Sequence, residues 1–124
     1  MSLCVVIAGG KTVAIAAVAF TLSWTHSVEK VRWEEEWQVK PGGLKIVEAR
    51  IQGSGAGMEP PPGSVLQDGW WVYVPDLPLQ PEISLATSGA TSSAWSLCAE
   101  GRCMTLGAEA GDPVVLRPCD GQGR

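Results

Sequence analysis

His26 is the only histidine in the chain, so any imidazole ligand, proton shuttle or Ser–His or Cys–His nucleophile must be built on it. Glu35 and Glu48 fall at positions that alternate with apolar residues of their own segments, and a short loop, Gly53-Ser54-Gly55-Ala56-Gly57, follows the second of them. One imidazole and two inward carboxylates can hold a divalent cation or run acid–base chemistry. A cationic imidazole beside successive loop amides suits a carboxylate ligand instead. The candidate ligand-binding set is therefore His26, Ser27, Glu35, Glu48 and the loop Gly53, Ser54, Gly55, Ala56 and Gly57. The competing reading is structural: His26 and Glu35 satisfy each other or a strand end. Ser27 neighbours His26, but in extended chain the two side chains leave opposite faces, which argues against a nucleophilic pair. The glycine loop is no dinucleotide fingerprint, because Pro60, Pro61 and Pro62 stand where the required helix would begin.

The elements that must position these residues read as strands. Phe20, Leu22 and Trp24 alternate with Thr21, Ser23 and Thr25, and His26 ends the apolar face. The charged run from Val31 to Lys40 looks helical by composition but not by period. At about 100° per residue Val31, Trp33, Trp37 and Val39 scatter round the wheel, and at about 180° they share one face. Glu35 has the parity of the tryptophans, whereas Glu34 and Glu36 have the opposite one. In Leu44–Gln52, strict alternation puts Glu48 with Leu44 and Ile46, and Val47 with Ala49 and Ile51, the pattern of a central strand covered on both faces. The strand Trp70–Val74 offers a third kind of site: Trp70, Trp71 and Tyr73 as a stacking surface for carbohydrate or peptide, with Trp70 on one face and Trp71 and Tyr73 on the other.

Fifteen glycines and nine prolines among 124 residues punctuate the chain too often for a helix bundle. The expectation is an all-β, antiparallel β-sandwich or partly open barrel of about eight to ten short strands, one domain over residues 1–124. Residues 1–19 are expected to form an amino-terminal hairpin turning at Gly9-Gly10-Lys11. A membrane span or an export signal is the alternative, and Lys11 sits badly in both. A net charge of −4 without a basic stripe excludes nucleic acid as an expected partner. Four cysteines allow three pairings. Cys98 with Cys103 across a hairpin and Cys4 with Cys119 between first and last strands is the disulfide candidate, against free thiols or a zinc site. No cofactor is expected.

The string THSVEKVRWEEEW, the segment GGLKIVEARIQGSGAGMEPPP and the strand GWWVY together resemble an uncharacterised bacterial family encoded beside TAXI-type transporters of the tripartite ATP-independent periplasmic (TRAP) class. The resemblance covers residues 3–106 and is carried by Thr25 to Glu29, Glu34, Glu35, Glu48 and Gly53 to Met58. It implies a non-catalytic accessory protein of solute uptake, periplasmic or associated with the inner membrane. Its implied partners are the solute-binding protein or a permease subunit; a small carboxylate, suited to the imidazole and the glycine loop, is the further candidate ligand.

Overall fold

The computed structural model describes residues 1–7, 10–25, 31–52, 61–87, 94–108 and 111–119. Their regular elements are all strands: β1 (Ser2–Ile7), β2 (Lys11–Ile15), β3 (Ala19–Thr25), β4 (Arg32–Lys40), β5 (Gly43–Gln52), β6 (Val65–Gln67), β7 (Trp70–Tyr73), β8 (Ile83–Leu85), β9 (Trp95–Ala99), β10 (Arg102–Leu106) and β11 (Val114–Cys119). They form two antiparallel sheets, one of four strands in the order β2-β1-β11-β8 and one of seven in the order β10-β9-β3-β4-β5-β7-β6. Eleven strands exceed the eight to ten expected, and the sheets do not close into a barrel.

Local chemistry accounts for the turns. Pro41 and Gly42, the latter with φ of 84°, join β4 to β5 in the type II pattern, closed by the Lys40–Gly43 pair. Glu100 and Gly101 both have positive φ between the paired Ala99 and Arg102, which gives the tight hairpin expected there. The apolar amino-terminal run becomes β1, β2 and the start of β3, and β1 pairs antiparallel with β2. Among the described residues no helix is long and apolar enough to cross a membrane.

The core lies between the sheets. Leu3 and Val5 of β1 and Val114 and Leu116 of β11 face Phe20, Leu22, Trp37, Val39, Leu44, Ile46 and Leu97 of the larger sheet. Strand alternation from Arg32 to Lys40 delivers Trp37 and Val39 to this core while Lys40 stays exposed. The Phe20 and Trp37 rings stack with centroids 6.3 Å apart.

All four cysteines are paired. Cys98 and Cys103 face each other across β9 and β10, and Cys4 joins β1 to Cys119 on β11. The free-thiol and zinc readings are therefore set aside.

The central irregularity is in β5. Glu36 pairs with Glu48 but Trp37 pairs with Ile46, so Val47 is one residue more than β4 can match. Such a bulge reverses the parity of everything beyond it. Leu44 and Ile46 before it, and Ala49 and Ile51 after it, all become buried on one face. The expectation that strict alternation runs through β5 is corrected accordingly: the strand is central, between β4 and β7, but Leu44, Ile46, Ala49 and Ile51 all turn to its inner face.

Candidate functional site

The bulge divides the two carboxylates that the sequence places together. Glu35 pairs with Leu22 on one side and Ala49 on the other, and Ala49 pairs with Tyr73. Since cross-strand partners share a face, Glu35 stands in a row with buried Leu22 on the inner face of the sheet. Glu48 lies opposite Glu36, on the outer face. The expected convergence of Glu35 with Glu48 is therefore corrected. His26, Ser27 and Gly53, Ser54, Gly55, Ala56 and Gly57 lie outside the described residues. Their anchors are described: the chain leaves β3 at Thr25, re-enters at Val31, and leaves β5 at Gln52, whose Oε1 accepts a bond from the Arg32 amide at 3.4 Å. Both segments thus start from one end of the larger sheet.

At that end the inner face is aromatic. Trp24 stacks on Trp33 at 6.0 Å between centroids and meets Trp95 at 4.8 Å, and Ile51 continues the row to Trp71. Glu35 sits one row deeper. Its Oε1 accepts from Trp37 Nε1 at 3.0 Å. Burial pushes the Glu35 carboxyl above its ordinary value, and the Trp37 bond works the other way. Burial also raises the Tyr73 phenol, and the Glu35 charge adds to it.

The outer face carries a network that centres on Arg50. Its Nη1 donates to Glu36 Oε2 and to Glu48 Oε2, each at 2.6 Å, and its Nε and Nη2 donate to Glu34 Oε1 at 3.2 and 3.0 Å. Burial disfavours the guanidinium charge, but the bonds to Glu36, Glu34 and Glu48 outweigh it and hold the group further above its ordinary value. Arg32 extends the network, donating from Nη2 to Ser23 Oγ at 3.0 Å and from Nε to Glu34 Oε2 at 3.3 Å. A shallow depression of about 370 Å³ adjoins it, lined by Glu34, Glu48, Arg50, Asp68 and Trp70 among others. Arg50 was not among the candidate residues. The signal that finds it is register: Glu34 pairs with Arg50 only when the bulge is placed.

The three aromatic candidates do not form one surface. Trp71 and Tyr73 share the inner face with Ile51 and Ala49, and Trp70 pairs with Gln52 on the outer one, as alternation predicts. All three are half-buried. Among the described residues no group of His, Cys, Asp and Glu side chains is placed to hold a metal.

A family model for a domain of unknown function, DUF1850, matches residues 20–106. The chain belongs to that family. The matched span holds the seven strands of the larger sheet, except Ala19 at the start of β3, together with β8, while β1, β2 and β11 of the smaller sheet lie outside it. The Glu35 row and the Arg50 network are thus both built from the DUF1850 portion. No curated protein and no solved structure matches the chain.

Proposed function

We propose that this DUF1850 protein is a non-catalytic accessory subunit of a TAXI-type TRAP uptake system, and that it docks a transporter component through the outer face of its seven-stranded sheet. The transporter association rests on the resemblance carried by Thr25 to Glu29, Glu34, Glu35, Glu48 and Gly53 to Met58. The choice of docking over chemistry rests on Arg50. Its donors are engaged by Glu34, Glu36 and Glu48, which fixes the three carboxylates as an ordered, outward pattern. Glu35 and Glu48, the two carboxylates an acid–base or metal site would need side by side, lie on opposite faces.

Around Arg50, Glu34, Glu36, Glu48 and Asp68 set four carboxylates against the two guanidiniums of Arg32 and Arg50, while Lys40 and Lys45 lie towards the other end of the face. That surplus favours a basic protein surface over a small anionic solute, because charge complementarity steers encounter and sets register. Trp70 at the rim supplies the kind of aromatic anchor that carries binding energy at interfaces. Two disulfides fit an oxidising compartment and so support a periplasmic location or one on the outer side of the inner membrane.

Co-purification from detergent-solubilised membranes tests this reading. The tagged full chain should retain the solute-binding protein or a permease subunit at low salt and release it at high salt. Retention of neither component at low salt would remove the proposal.

A further inference from the structure

The two sheets part along one side. β2 ends the smaller sheet and β10 ends the larger one, and between them lies a cavity of about 610 Å³. This is the opposite edge of the larger sheet from β6 and β7, so the cavity is separate from the Arg50 face.

The walls are apolar. Val13 and Ile15 come from β2, Leu97 from β9 and Met104 from β10. Val13 pairs with Val5 and Ile15 with Leu3, and both of those partners are fully buried, so Val13 and Ile15 point the way the core does. Met104 pairs with Leu97 in the same sense. Yet Val13, Ile15 and Met104 are only half-buried. They are core-facing side chains at a place where the described residues leave the core unfilled. The volume falls within the range of small-molecule sites.

One cation stands at the mouth. Arg102 pairs with Ala99 on the same inner face and lines the cavity. Among the described residues it enters no ion pair, in contrast to Arg50. Glu100, on the hairpin turn, also reaches the rim and makes no ion pair with Arg102. The Cys98–Cys103 bond ties together the two strands that carry Leu97, Met104 and Arg102, so this wall is formed before any ligand arrives.

We propose that this slot binds an amphipathic monocarboxylate, its apolar tail between Val13, Ile15, Leu97 and Met104 and its carboxylate on the Arg102 guanidinium. An apolar wall supplies affinity without selectivity. A guanidinium with no carboxylate of its own selects an anionic head, and its two-pronged geometry matches a carboxylate.

The test uses the full chain with methyl-labelled methionine, titrated with sodium octanoate, octanol and octylamine. Octanoate should shift the Met104 methyl signal saturably and bind roughly tenfold tighter than octanol, the value of one charge-assisted contact. Octylamine should bind more weakly than either. Arg102→Leu, at an exposed position, should reduce octanoate to the affinity of octanol and leave octanol unchanged. Glu100→Gln should tighten octanoate by removing a like charge from the rim. Val13→Trp should abolish binding of both by filling the slot. A Met104 signal that stays still, or octanoate and octanol binding equally to the wild-type chain, overturns the assignment.

Discussion

Glu36 faces Glu48 directly across β4 and β5, and the same Nη1 atom of Arg50 bonds to both at 2.6 Å. Like charges placed opposite each other in a sheet repel. Here the pair is tolerated because one guanidinium lies between them. The arrangement concentrates negative charge on an outward face while keeping each carboxylate in a defined position.

The first prediction concerns that guanidinium. Arg50→Met should destabilise the fold by about 2 kcal/mol, between the values of exposed and buried ion pairs. A second substitution separates repulsion from packing. Glu36→Gln should lower the urea midpoint in the wild-type chain, where it removes a charge-assisted bond. In Arg50→Met it should raise the midpoint, where it removes a repelling charge. The change of sign is the outcome to look for.

Glu35 gives a prediction in pH. Its folded value is raised above the ordinary 4.5, so over the window that begins there the folded chain keeps a proton the unfolded chain has lost. The stability contributed by this group is full below that window and falls as pH rises through the folded value. Glu35→Gln preserves an acceptor for Trp37 and removes the titration. Its urea midpoint should therefore gain on the wild type as the pH rises above about 4.5. Tyr73, the one tyrosine of the chain, supplies an independent readout. Its phenolate absorbance should appear at lower pH in Glu35→Gln, because part of its upward shift comes from the Glu35 charge.

The two disulfides should differ in weight. Cys4 and Cys119 are 115 residues apart and Cys98 and Cys103 only five. Loop entropy alone assigns about 5 kcal/mol to the first bond and about 2 kcal/mol to the second. Urea unfolding of the paired Cys→Ala variants should show that order. Free-thiol counting on the untreated protein should find none.

Gly43 is required by a close approach. A Cβ there would lie 2.6 Å from the Gln80 carbonyl oxygen and 2.7 Å from Leu79 Cγ. That carbonyl accepts the Leu44 amide, and Gln80 N donates back to Leu44 O at 2.9 Å. Gly43→Ala should cost about 2 kcal/mol through overpacking. It should also speed hydrogen exchange at the Gln80 amide.

How far the molecule could be foreseen depends on what each residue pattern encodes. The segment from Arg32 to Lys40 is legible because an amphipathic strand and an amphipathic helix demand different periods, and Trp33, Trp37 and Val39 satisfy only one. The cysteine pairing was one legible option because Cys98 and Cys103 flank a tight turn. β5 was not legible in the same way. A bulge leaves no mark in composition, and one unmatched residue, Val47, moved Glu48 from the inner face to the outer and so broke the candidate trio. β6 escapes an alternation search because it has only three residues. Its turn was nevertheless written in the chain: Asp68 and Gly69 take φ of 50° and 85°, the dipeptide preference of a two-residue hairpin. Arg50 gains its role only from long-range register, which period counting within one strand does not contain.

The most direct measurement is a titration of the purified transporter components with the wild-type chain and with Glu36→Lys/Glu48→Lys, both checked for folding. The wild type should bind the solute-binding protein or the permease with an affinity that weakens as salt is added, and the reversed face should lose at least about tenfold. Equal binding by the two chains, or none by the wild type, would contradict docking through the Arg50 face.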